Sequence, residues 1–235
     1  MERAYSKLLS LPLLQGLSEA DLTEIAGRVR LGFQKVGAGK YILRAGQKTE
    51  GVWFILDDGE VVVEHRLRGT AIRLEERLAG GRMFGAETLF GMNQVLDVSV
   101  RAQDACSTLF IRKQDIINHI LRYEVCRFNL LGYLSLRLQK TKSRLATPLD
   151  DRLLGRLTRF LELQFIYPAG RKQVFAKMQD LARCLLCTRL NLSILLNKLE
   201  DEGLIKLGRM HFTIERLQDL INYNTSQQGA NNELG

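Results

Sequence analysis

The sequence has no run of about 18 apolar residues, so no segment reads as a membrane-spanning helix. It has no basic-then-apolar leader either, and the expectation is a cytoplasmic protein with no membrane partner. Its four cysteines, Cys106, Cys126, Cys184 and Cys187, are too few and too scattered for a disulfide framework. Its three histidines, His65, His119 and His211, stand alone. There is no Ser-His-Asp order, no phosphate-binding loop and no carboxylate pair in a recognisable motif, so no catalytic residue is named and no enzyme is expected. With only three prolines, long stretches are free to be helical. The hydrophobic fraction, 46%, is that of an ordinary soluble protein.

Acidic charge is in short supply in one region. The formal charge is +8. From Lys140 to Arg216 there are 15 Lys or Arg against 8 Asp or Glu, so most of the excess lies in the last third of the chain. Such a segment suits phosphates.

Ser18 followed by Asp21 is a capping-box pattern and opens a short helix through Val29. The stretch before it, LLSLPLLQGL, is apolar, is broken by Pro12, and is expected to lie against the next domain. Residues 31–112 alternate short apolar runs with glycines, as in an antiparallel β-roll of about 80 residues. Within it, VWFIL and VVVEH on either side of DDG read as a hairpin.

The stretch from Lys113 to Leu145 has no proline and one glycine, Gly132. It predicts one continuous helix of about 50 Å. Its apolar residues form two stripes. Ile116, Ile120, Tyr123, Leu130 and Leu134 form one. Ile117, Leu121, Phe128, Leu131, Leu138 and Leu145 form a near-heptad seam. Two stripes imply packing on the helix's own domain and on something else. A homodimer through Phe128, Leu131 and Leu138 is expected.

A hinge at Thr147-Pro148 follows, then a helix capped by Asp150 and ending before Tyr167-Pro168. Gln173-Val174-Phe175 reads as a short strand. Helices are expected over Met178–Leu185 and Thr188–Asp201, the second capped by Thr188 and ended by Gly203. LIKLGRMHFTI reads as a two-stranded wing turning near Gly208, and the polar tail TSQQGANNELG as disordered.

Three blocks in this order, GVWFILDDGEVVV, LAGGRMFGAETLFG…VSVRA and LNKLEDEGLI, resemble the bacterial CRP/FNR family of transcription regulators. The resemblance covers residues of about 10–220 at the level of pattern. It implies an α+β chain: an N-terminal antiparallel β-roll of jelly-roll type (1–112), a long dimerisation helix (113–146) and a C-terminal winged helix-turn-helix (147–235). It implies a homodimer on double-stranded DNA with a two-fold-symmetric site, a small-molecule effector in the roll, and RNA polymerase as a partner.

By that resemblance the effector pocket would involve Phe84, Gly85, Ala86, Glu87, Leu96 and Asp97. Members that bind cyclic AMP carry Glu in the turn and Arg-Ser some ten residues on. Here Ala86, Leu96 and Asp97 hold those positions, and cyclic nucleotide binding in the usual mode is not expected. Glu87, one residue late, is expected to face the other way on a strand. The iron–sulfur members carry an N-terminal cysteine cluster, and none precedes Cys106.

Thr188, Arg189 and Asn191 would open the recognition helix, where Arg suits guanine and Asn suits adenine. Where the family often places an acid and a later Arg, this helix has Leu190 and Ile194, so its sequence preference should differ. Lys198, Lys206 and Arg209 fit phosphate contacts. Cys184-x-x-Cys187 lacks a second ligand pair apart from His211, so it reads as core packing rather than zinc, and no metal is expected. Some members bind haem, for which His65, Met83, Met92 and Cys126 are the conceivable ligands; the cofactor stays unassigned. The alternative functions are an effector-binding module that controls a protein partner without DNA, a haem-based sensing regulator, and a thiol oxidoreductase using Cys184 and Cys187.

Overall fold

The computed structural model describes residues 2–56, 59–146, 151–165, 167 and 169–232. In chain order the elements are α1 (Glu2–Leu9), α2 (Glu19–Arg28), β1 (Gly32–Val36), β2 (Tyr41–Leu43), β3 (Gly51–Ile55), β4 (Glu60–Arg66), β5 (Arg73–Ala79), β6 (Arg82–Phe84) and β7 (Ser99–Ala102). There follow β8 (Cys106–Arg112), α3 (Lys113–Asn118), α4 (Glu124–Ala146), α5 (Leu153–Gln164) and β9 (Lys172–Phe175). The chain closes with α6 (Met178–Cys184), α7 (Arg189–Asp201), β10 (Lys206–Gly208), β11 (His211–Ile214) and α8 (Leu217–Asn232). No helix of the described residues is long and apolar enough to cross a membrane. The chain forms two compact units, residues 1–63 with 78–140, and residues 64–77 with 141–235.

The first unit is a jelly-roll-like antiparallel domain with helices. One sheet runs β1-β8-β3-β6; β2, β7 and β4 are neighbours in another. The expected VWFIL–VVVEH hairpin does not form. β3 pairs with β8 and β6, whereas β4 lies in the other sheet. The apolar runs specified two strands but not their partners, because Val61, Val62 and Val63 are all buried and show no alternation that would tie them to β3. Asp57 and Asp58 lie outside the described residues.

Ser18 caps α2: its Oγ accepts from Asp21 N at 3.1 Å, and Asp21 accepts from Ser18 N at 3.2 Å. Leu8, Leu11, Leu13, Leu14 and Leu17 are buried in one cluster with Val52, Phe54 and Ile116, so the N-terminal stretch packs on the roll as expected.

The helix predicted over Lys113–Leu145 is not continuous. α3 ends at Asn118, a 3-10 turn covers Ile120–Arg122, and Tyr123 is extended at φ −80 and ψ 124 before α4 begins. Both Ile116 and Ile120 reach zero exposure in the core, and Tyr123 donates to Glu24 at 3.0 Å. Core packing and that bond override the helical propensity of a segment that has no glycine or proline to mark the break. α4 itself has the two-sided character expected. Leu130 is buried, with Leu134 partly so, while Phe128, Leu131 and Leu138 are 64%, 59% and 61% exposed.

The second unit has its own core, built from Leu157, Leu161, Leu192, Leu196, Leu199, Phe212 and Leu220 among others. Its strands run β10-β11-β9-β5, all neighbours antiparallel. β5 enters through residues 64–77. α5 starts at Leu153 with Arg152 in the cap position; the hinge at Pro148, the Asp150 cap and the stop at Pro168 lie outside the described residues.

α6 and α7 take their expected places. Gly203, at φ +71, ends α7 in a Schellman arrangement, its N–H on Glu200 O at 2.8 Å and Leu204 N–H on Leu199 O at 2.9 Å. The tail departs from expectation. It continues as α8 to Asn232, because Leu217 and Leu220 are buried in the core and Thr225 and Ser226 bond back to Ile221 O and Tyr223 O. Polarity alone predicts disorder for residues 225–235, of which the last three lie outside the described residues.

Candidate functional site

The turn after β6 positions the first set of expected site residues. Phe84 is buried and pairs across the sheet with Trp53. Gly85 adopts φ +85, which an L side chain rarely takes, and a Cβ there would lie 3.1 Å from Gly51 O. Ala86–Thr88 form a 3-10 turn, closed by Thr88 N–H on Gly85 O at 3.2 Å and Leu89 N–H on Ala86 O at 3.3 Å.

Glu87 is therefore not on a strand, as expected from its spacing, but on this turn, and it pairs with Arg137 of α4. Arg137 also donates to Tyr133 Oη at 3.0 Å, and Tyr133 Oη donates to Met83 O at 3.0 Å. Glu87, Arg137, Tyr133 and the Met83 carbonyl thus tie the turn to α4. Sequence reasoning missed this chain of contacts, since an acid and an arginine 50 residues apart carry no mutual signal.

Ala86 and Leu96 are 1% and 5% exposed. The backbone of Leu96 is held by Gln47 O at 3.0 Å and Gly46 N at 2.8 Å, and its Cδ2 stands 3.9 Å from where a Gly85 Cβ would be. Asp97 is exposed. The position expected to meet a ribose hydroxyl thus presents a methyl, and the two expected to meet a phosphate present an isobutyl and an outward carboxylate.

The second set lies around α7. Thr188 Oγ1 accepts from Asn191 N at 3.1 Å, so the residue is the helix cap. Arg189, Asn191 and Lys198 are exposed, while Leu192, Leu196 and Leu199 are buried. Arg209 lies exposed in the turn between β10 and β11, next to Met210 at φ 61, and Lys206 is exposed on β10. The stretch from Arg183 to Leu199 contains no Asp or Glu. Acids gather instead at the far end of α7, where Glu200 Oε1 accepts from Leu207 N at 2.7 Å. The N-terminal half of α7 is the more electropositive half.

Neither Cys184 nor Cys187 offers an activated thiolate. Burial raises the Cys184 thiol, aided by Asp180, and burial likewise raises Cys187. Both are free and pack against the core of the second unit. His211 stacks on Phe175 with ring centroids 5.3 Å apart. Of the haem-ligand candidates, Met83 and Cys126 are buried, His65 is half-buried and Met92 is fully exposed. Among the described residues no group of three His, Cys, Asp or Glu could hold a metal ion.

Residues 33–123 match the cyclic nucleotide-binding domain family. The match runs from β1 to the break before α4, and so takes in the turn at Gly85. The c-di-GMP-responsive global regulator CLP of Xanthomonas campestris has a similar structure, at 18% identity and a TM-score of 0.51, over 84% of this chain and 99% of that one. The sensor domain of the transcriptional regulator DNR from Pseudomonas aeruginosa is similar at 17% identity and a TM-score of 0.50, over 62% of this chain and 95% of that one. At these identities the likeness is one of fold. No curated protein matches the sequence significantly. The stretch that matches this family thus carries a turn in which the positions of the expected ribose and phosphate partners are apolar or turned outward.

Proposed function

We propose that this chain is a non-catalytic, dimeric, sequence-specific DNA-binding transcription regulator of the CRP/FNR type. Its cyclic nucleotide-binding-type roll receives a small-molecule effector other than cyclic AMP. The second unit acts as a winged helix-turn-helix, with α6 and α7 as the two helices and the β10–β11 hairpin as the wing.

The observation that carries the reading is the arrangement on α7. A capped, exposed helix N-terminus bears Arg189 and Asn191, no acid falls between Arg183 and Leu199, and Lys206 and Arg209 stand on the following hairpin. Such a helix fits a major groove, with base edges met by its first turn and phosphates met by Lys198 and Arg209. The exposed stripe of Phe128, Leu131 and Leu138 supports pairing of α4 with a second copy. The Glu87–Arg137 pair supplies the link by which a ligand in the roll would bias α4. A signal favouring one arrangement of the paired helices then sets whether two copies of α7 match major grooves about 34 Å apart. In a cell, a bound site would place the dimer within reach of RNA polymerase.

Selection from a random duplex library tests this directly. The expected product is a two-fold-symmetric site bound by a dimer. Recovery of unenriched sequence after repeated rounds contradicts it.

A further inference from the structure

The outer face of α7 is apolar at its centre. Leu192, Leu196 and Leu199 mark the inner side, all at 2% exposure or less. Opposite them stand Leu190, 68% exposed, and Ile194, 59% exposed. Being four residues apart, they share one face of the helix. Arg189 and Asn191 flank that line, and the exposed Arg183 and Lys198 lie before and beyond it. In the turn before the helix, Leu186 is 83% exposed and takes φ 51, a left-handed conformation unusual for leucine.

An apolar pair with cations at its margins, on a stretch that has no acid from Arg183 to Leu199, suits a polyanion that offers apolar groups at the floor of a groove. In the major groove of duplex DNA those groups are the 5-methyls of thymine. Leucine and isoleucine donate and accept no hydrogen bonds, so a cytosine amino group or guanine O6 placed against them would be left unpaired.

We propose that Leu190 and Ile194 are specificity residues that contact thymine methyl groups in each half-site. This rests on the DNA-binding reading above and names the base that the reading leaves open. The centre of each half-site is then read by apolar contact, with Arg189 adding a hydrogen-bonded position at its side.

The test uses the full-length protein and the site recovered by library selection. Each thymine is replaced in turn by deoxyuridine, which removes the methyl and leaves base pairing intact. At contacted positions affinity should fall about fourfold, as expected for losing burial of one methyl-sized group. Leu190→Ser and Ile194→Ser, both at exposed positions, should each become indifferent to uracil at one position and lose the preference for thymine there. A selected site bound equally well with uracil throughout overturns the thymine assignment and leaves DNA binding standing. Unchanged base preference in both serine variants also overturns it, and assigns the apolar line to another use such as a protein partner. A protein that binds no duplex at all overturns both readings.

Discussion

Lys172 Nζ donates to Glu76 Oε1 at 2.7 Å, and neither side chain has any exposed surface. The same carboxylate oxygen accepts from Tyr167 N at 3.0 Å, and Lys172 also donates to Ala169 O. The pair sits where β5 joins β9, in the register Glu76↔Lys172. Two charges removed from water are tolerable only when each is paired and hydrogen-bonded. Lys172→Met should therefore cost about 3 kcal/mol or more by leaving Glu76 buried without its cation. Adding Glu76→Leu should recover much of that loss. Unfolding midpoints of the single and double variants measure the coupling; simple additivity would show the pair to be energetically independent.

The dimer prediction rests on Leu131, which is 59% exposed on the same side of α4 as Phe128 and Leu138. Leu131→Asp should place an unpaired charge in the seam and yield a monomer in sedimentation. A variant that still sediments as a dimer places the interface elsewhere.

Cyclic AMP and cyclic GMP should fail to bind at micromolar concentration. Ala86 and Leu96 are buried where the ribose and phosphate partners would stand, and Glu87 is already held by Arg137. Titration calorimetry on the purified chain decides the matter. A micromolar isotherm for either nucleotide would mean that other side chains hold the phosphate.

Burial, with a smaller contribution from Asp21, pushes the Cys126 thiol up to about 11. The neutral thiol is thus favoured in the folded chain, and its contribution is complete below the ordinary thiol value and lost as pH rises toward 11. Stability should fall between about pH 9 and 11 more steeply in the wild type than in Cys126→Ala, as read by urea midpoints across that range. Equal slopes would show that Cys126 does not titrate on unfolding. At neutral pH the same thiol should resist alkylation until the first unit opens.

Local chemistry made some of this fold legible from sequence alone. Ser18 with Asp21, Thr188 with Asn191, and Gly203 after Asp201 each write a helix boundary within a few residues, and each stands where it was expected. Partnership between distant segments was not legible. The apolar runs at β3 and β4 named two strands but not their separate sheets, and Glu76 meets Lys172 across 96 residues with no pattern to announce it. The break at His119–Tyr123 carries no mark in the sequence because burial of Ile116 and Ile120, not a helix-breaking residue, turns the chain. For the candidate site, spacing pointed to the turn at Gly85 and to the start of α7. The Glu87–Arg137 link, and the exposure of Leu190 and Ile194 at the centre of α7, needed the folded geometry.

The most direct test of the account is the salt dependence of affinity for duplex DNA carrying the selected site. A protein that meets phosphates through Lys198 and Arg209 in each of two copies should lose affinity steeply, with a logarithmic slope of about −0.9 for every phosphate neutralised. Arg209→Ala should weaken binding to all sequences alike and reduce the slope by about one per lost contact. Arg189→Ala should instead erase the preference at one base pair per half-site and leave the non-specific affinity largely in place. A flat salt response, or weak binding indifferent to both substitutions, would contradict the assignment of α7 and the β10–β11 hairpin to DNA.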